Sequence, residues 1–162
     1  MGLLVLLVAL LWPASTAAQR RLDCTVAHVV DGDTFWARCP RDVKVRLLLI
    51  DAPERDQFPF GRQAKGAIER LLQRGGRVSL ELDVQTTDRF GRTLAYVFLP
   101  DGRMVNEEMA RSGYATTLVY PPNVRYIDRI RRAVAQARAA QRGLWAVGGF
   151  ACTPRDHRRQ KC

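Results

Sequence analysis

The chain has 162 residues, a formal net charge of +10 and a sequence pI near 10.3, which gives room for one domain with a sizeable core and not for two. Four cysteines without a C-x-x-C pair, and His28 and His157 as the only histidines, argue against a zinc site. The positive balance points to a polyanionic partner; charge by itself leaves nucleic acid, anionic membrane and glycan open, and 23 arginines against only Lys44, Lys65 and Lys161 is a bias that a GC-rich genome also produces.

Residues 1–18, MGLLVLLVALLWPASTAA, carry no charged side chain. The apolar run Leu3 to Trp12 is too short to span a bilayer, and Thr16-Ala17-Ala18 supplies small residues for signal peptidase. The segment reads as an export signal cut near Ala18, giving a secreted or periplasmic protein without stable membrane insertion. An uncleaved anchor is the alternative, because no Lys or Arg precedes the apolar run while Arg20-Arg21 follow it. The mature chain then divides into a domain over 19–150 and a basic tail over 151–162, of which Thr153 to Cys162 is expected to be loosely ordered apart from its disulfide.

Cys24 to Val30 predicts a strand, Asp31-Gly32-Asp33 its turn and Thr34 to Arg38 the returning strand. Lys44 to Ile50 is a third strand in which Val45, Leu47, Leu49 and Ile50 look buried, so Arg46 is costly there unless it faces a cleft. Arg55 to Gly61 reads as a loop. Gln63 to Arg74 is a helix with Ala64, Ala67, Ile68, Leu71 and Leu72 on one face, stopped by Gly75-Gly76. Val78 to Leu82 and Leu94 to Leu99 alternate as strands around a polar loop, Asp83 to Arg92. Asn106 is expected to cap a short helix, Glu107 to Ser112, and Tyr126 to Gln141 is the last helix. Cys24 and Cys39 lie nearly symmetrically about Gly32, so a hairpin brings them face to face; with Cys152–Cys162 closing a small loop, two disulfides are expected. Five short strands with helices after the third and the fifth suggest an α+β, mainly β fold: a five-stranded OB-type barrel packed against three helices.

Three charged clusters stand out against this background: DGDT at 31–34, RLLLIDAPE at 46–54 and DRFGR at 88–92. Each alone has a bland reading: a hairpin turn, a strand end with helix-capping acids, a solvated loop. Together they hold the parts of a metal-assisted phosphodiester hydrolase. Asp33 and Asp51 suit one Ca²⁺, which takes carboxylate and carbonyl oxygens, with the backbone carbonyl of Ala52 as a neutral addition. Asp31 is adjacent and suited to orient water near the ion. Glu54 is suited to position and deprotonate an attacking water. Arg46 and Arg92 present planar forks that fit two phosphate oxygens at once.

DGDT, RLLLIDAPE, DRFGRTLAYVF, DGRMVNEEMARSGYA and AQARAAQRGLW, in this order, closely resemble the staphylococcal nuclease (thermonuclease) family over about Val26 to Trp145. The resemblance implies the OB-type barrel with three helices, and a Ca²⁺-dependent enzyme that hydrolyses DNA and RNA and leaves 3′-phosphates. Carried over residue by residue, it implies Asp33, Asp51 and the Ala52 carbonyl as metal ligands, with Arg46, Glu54 and Arg92 as catalytic residues. For substrate binding it implies Arg89 at a terminal phosphate and Tyr120 in the nucleotide pocket. Four departures touch substrate grip: Ala52 stands for the family's threonine, Phe90 for a tyrosine, Leu118 for another pocket tyrosine, and the loop 55–59 is shorter. A monomer is expected. A non-catalytic nucleic-acid-binding module of the same fold is the alternative function, disfavoured because the acids and arginines that such modules lose are all present. A basic envelope protein would account for the leader and the charge but not for the clusters.

Overall fold

A computed structural model describes residues 21–162; the expected export signal at 1–18 lies outside the described residues. Strands β1 (Arg21–Val29), β2 (Thr34–Arg38), β3 (Asp42–Leu47), β5 (Arg77–Thr87) and β6 (Thr93–Phe98) close into a barrel in the order β1-β2-β3-β6-β5. The β1–β2–β3 meander is antiparallel. β6 then joins β3 in parallel, with Arg46 opposite Leu94, and β5 returns to β1. The barrel interior is filled by Phe35, Val45, Leu47, Leu80, Ala95 and Val97, all at most 1% exposed, while Tyr96 is buried on the opposite face of β6 against Tyr126.

A separate two-stranded pair, β4 (Ile50–Asp51) with β7 (Thr116–Thr117), sits at the barrel's edge. Helices α1 (Phe60–Leu71), α2 (Val105–Arg111) and α3 (Ile127–Ala139) are the three expected ones, each with an apolar stripe turned inward: Ala64, Ala67 and Ile68 on α1, Ile130, Ala133 and Ala137 on α3. A 3₁₀ turn over Gly143–Val147 and a short helix α4 (Pro154–Arg158) complete the chain. Both expected disulfides, Cys24–Cys39 and Cys152–Cys162, are formed. No helix among the described residues is long and apolar enough to cross a membrane.

Several local expectations change, the third strand over Lys44 to Ile50 among them: it breaks after Leu47 into β3 and β4, which lie in different sheets. The tail is not loosely ordered: Thr153 caps α4 by accepting from the Asp156 N–H at 3.1 Å, Pro154 is buried and the disulfide closes the turn. Asn106 does not cap α2, which starts after Met104. Its side chain is fully buried, accepts from Val97 N–H and donates to the carbonyls of Leu48 and Ala95, tying α2 to two barrel strands. Finally, β5 runs on to Thr87, so only Asp88–Arg92 is a loop. Residues 83–86 bulge away from β6, and Asn123 makes a reciprocal pair with the backbone of Gln85. That support comes from 38 residues away, and an arm wet on both faces shows no alternation by which to recognise it as a strand.

Candidate active site

The acids are brought together by two turns that could not be built with larger residues. Val30 and Asp31 N–H both bond the Thr34 carbonyl, closing the turn that ends β1. At Gly32 a Cβ would lie 2.6 Å from the Ala52 methyl and 2.8 Å from that of Ala64. Only glycine allows this turn to rest on both the β4 exit and α1. At Gly61 a Cβ would lie 1.9 Å from the Glu54 carbonyl oxygen, so the first turn of α1 seats directly on the backbone that carries Glu54. Between β3 and β4 the chain reverses through Leu49 at φ +66°, a conformation that costs an L-residue free energy. The Arg46 guanidinium holds this reversal by donating to the carbonyls of Leu47 and Ile50.

Arg46 is also where the acids meet. Its Nη2 lies 3.0 Å from Asp33 Oδ2 and 3.2 Å from Asp51 Oδ1, with all three residues buried. Asp33 is fixed further by the Thr34 hydroxyl at 2.9 Å and by the Ala52 N–H at 3.0 Å. Asp31 accepts from the Asp33 N–H at 3.1 Å. Burial first, and then the neighbouring Asp33 charge, push the Asp31 carboxyl up to about 6. Burial also raises Asp51, although its arginine partners oppose the shift.

Glu54 is half-buried three residues beyond Asp51. Its backbone is clamped by Gln57, whose side-chain oxygen accepts the Glu54 N–H at 2.9 Å while the Gln57 N–H donates to the Glu54 carbonyl at 3.0 Å. Gln57 is itself buried and donates to the Cys152 carbonyl at 3.2 Å. A second guanidinium, Arg158 of α4, lies on Asp51 at 2.8 Å and pairs with Glu54 as well. Those carboxylates and hydrogen bonds hold the Arg158 pKa above that of an ordinary arginine. Sequence reasoning missed Gln57 and Arg158. Gln57 is marked only by a polar residue in a tight turn, and Arg158 by nothing in a tail that is basic throughout.

The remaining candidates stand apart from the acids. Arg92 is held in its loop by Asp88, which accepts from the Arg92 N–H and Phe90 N–H on one oxygen and from Arg92 Nε at 2.7 Å on the other. Burial alone would raise Asp88, but these donors outweigh it and its pKa is lowered. Thr93, next in the chain, pairs with Val45, so Arg92 enters the barrel at the end of β3 that carries Arg46. Arg89 and Arg92 both lie over the ring of exposed Phe90, at 4.7 and 5.4 Å from its centroid. Tyr120 is exposed on the loop that Asn123 pins to β5.

Four carboxylates, Asp31, Asp33, Asp51 and Glu54, thus face two guanidiniums, Arg46 and Arg158. The excess of negative charge and the all-oxygen donor set fit a hard divalent cation. Among the described residues no three His, Cys, Asp or Glu side chains are gathered as a metal cluster on their own; Asp33 and Asp51 are the two carboxylates that meet on Arg46. For Ala52 the contact the structure shows is its N–H on Asp33.

A sequence profile of the family described as "Staphylococcal nuclease homologue" matches residues 44–147. The chain is 36% identical to a thermonuclease of Staphylococcus hyicus over 127 residues, covering 75% of this chain and 74% of that protein. It is 37% identical to a thermonuclease of Staphylococcus intermedius over 126 residues, covering 74% of each. With the SPbeta prophage-derived endonuclease YokF of Bacillus subtilis it shares 34% identity over 137 residues, 80% of this chain but only 46% of that protein.

Proposed function

Because this chain belongs to the staphylococcal nuclease family, we propose that it is an exported, Ca²⁺-dependent endonuclease that hydrolyses phosphodiester bonds of DNA and RNA and leaves 3′-phosphate ends. The observation that carries the reading is the convergence of Asp33 and Asp51, from separate turns, on one buried guanidinium, with Glu54 held three residues further on. Asp33, Asp51 and the Ala52 carbonyl would hold the cation, with Asp31 orienting water beside it. When bound, Ca²⁺ supplies Lewis-acid polarisation of the phosphate oxygens.

The protein's own groups do the rest. Glu54, fixed at its backbone by Gln57, positions a water and takes its proton. Arg46 on β3 and Arg92, in the loop just before β6, would approach the phosphate. Asp88 grips Arg92 through Nε, an arrangement that keeps the terminal Nη fork for two phosphate oxygens. As charge builds on the five-coordinate phosphorus, the Arg92 fork stabilises it more than it stabilises the ground state; Arg46, whose Nη groups hold Asp33, Asp51 and the Leu47 and Ile50 carbonyls, would do the same on exchanging its carboxylate partners for phosphate oxygens. Arg89 and Tyr120 contribute to substrate grip at the exposed edge. Two disulfides support an oxidising destination, secreted or periplasmic.

The test is incubation of the purified protein with plasmid DNA and with RNA, in Ca²⁺ and in EGTA, with identification of the product termini. Cleavage in Ca²⁺ alone that leaves 3′-phosphates is expected. Cleavage indifferent to chelator removes the metal assignment, and binding without cleavage returns the chain to a non-catalytic module.

A further inference from the structure

The disulfide-closed tail reaches back across the molecule to the acids. Arg158 lies 107 residues from Asp51 in sequence and engages both of its carboxylate oxygens, Nη1 to Oδ1 at 3.0 Å and Nη2 to Oδ2 at 2.8 Å. The same Nη1 also bonds Glu54 Oε1. Two further ties dock the tail on the segment that carries these acids. The Cys152 carbonyl accepts from Gln57 Nε2 at 3.2 Å, and His157 Nε2 lies 3.1 Å from Asp56 Oδ1. The Cys152–Cys162 bond closes residues 152–162 around α4, which limits how far Arg158 can swing away.

A fork seated on both oxygens of a carboxylate uses the lone pairs that a cation would take. The same guanidinium also occupies the Glu54 oxygen that a positioned water would use. We infer that the C-terminal tail is an intramolecular inhibitor: Arg158 sits on Asp51, where the cation would bind, and on Glu54, which would position the water, and a divalent ion has to displace it before the site can work. The inference rests on the reading of Asp51 as a metal ligand. The Arg158 side chain is 37% exposed, and ion pairs that solvent reaches are weak, so the tail is a displaceable competitor and not a permanent lock. If the docked form is favoured by about ten to one, the apparent Ca²⁺ affinity is reduced about tenfold.

Calorimetric titration with Ca²⁺, without substrate, tests this on the wild-type protein and on Arg158→Gln. The variant should bind Ca²⁺ about tenfold more tightly, and its half-maximal activity should move to lower Ca²⁺ with maximal turnover undiminished. The paired substitution Cys152→Ser/Cys162→Ser, which keeps Arg158 but opens the loop, should shift binding in the same direction, as a second route should Arg158→Gln fail to fold. Unchanged or weaker Ca²⁺ binding in either folded variant overturns the inference. So does a loss of turnover at unchanged Ca²⁺ affinity, which would assign Arg158 to the substrate, and so does a wild-type protein that binds no Ca²⁺. Metal binding is read apart from cleavage, so a protein whose Ca²⁺ affinity rises in the variant but which cuts no nucleic acid sinks the nuclease reading and leaves the tail inference standing.

Discussion

Two buried carboxylate networks lie at different places on the same barrel, and they are built differently. Glu81 on β5 is fully buried, yet its oxygens are met by Arg21 at 2.9 Å, Arg125 at 3.1 Å and the Tyr126 hydroxyl at 2.8 Å. Glu81 and its neighbour Asp83, which shares Arg125 and accepts from the Tyr96 hydroxyl, together have two cationic partners and neutral donors, so their desolvation is compensated within the fold. Around Arg46 the charges do not balance: four carboxylates share two guanidiniums, and Asp31 and Asp51 carry raised pKa values because burial opposes their ionisation. A network that closes on itself stabilises the barrel, whereas one left with excess charge is completed by something from outside. The same residue types serve structure in one place and chemistry in the other, and only the balance of partners tells them apart.

The largest effect should come from Glu54→Gln, with turnover on plasmid DNA falling about two to four orders of magnitude, roughly 3–5 kcal/mol of barrel-independent barrier. Its thermal midpoint should stay near wild type, because the Glu54 side chain is about a third exposed; near-normal turnover would remove Glu54 from the mechanism. Glu81→Gln should do the reverse, costing about 3 kcal/mol in denaturant unfolding by stranding its partners while turnover of the folded fraction holds. A turnover loss as large as that of Glu54→Gln would erase the distinction between the networks. Ca²⁺ at a hundred times its dissociation constant should raise the unfolding free energy by about 2.7 kcal/mol. Glu81→Gln should keep that increment and Asp33→Asn should lose most of it; an equal increment in both would place the cation elsewhere.

Asp88→Asn should have the smallest effect, about 1 kcal/mol at pH 7, and its sign with pH is fixed by the lowered pKa of Asp88. A depressed folded pKa stabilises the protein above the ordinary aspartate value of 3.8 and ceases to as pH falls through the folded value. Wild type and variant should therefore converge once the pH has fallen below the lowered folded pKa of Asp88. A gap that persists in acid would mean that the hydrogen bonds of Asp88 do not depend on its charge.

Much of this protein was legible in the chain. Strand β2 has the bounds that its alternation gives, and the three packed helices follow their apolar stripes, with α1 beginning at Phe60 instead of Gln63 because Pro59 and Gly61 accommodate an earlier first turn. The symmetry of Cys24 and Cys39 about Gly32 is the symmetry of the hairpin itself. Within each cluster the neighbours Asp31 and Asp33, and Asp51 and Glu54, were readable because adjacency in a short segment survives into space, and pairing of β2 with β3, Thr34 opposite Arg46, then joins the clusters.

By itself, then, the sequence suggested a small barrel and the disulfide pairs through alternation and spacing, and the order of its motifs, by resemblance to a family, pointed to the barrel class and to the acids and arginines of the site. Only the tertiary structure decided the partners: Asn106 on two barrel strands instead of at a cap, Gln57 under Glu54, Asn123 against β5, and Arg158 on Asp51. Those contacts join residues distant in the chain or turn a side chain inward. Hydrogen bonds and ion pairs of that kind depend on where folding brings two groups, and a linear pattern of polar residues does not carry that information.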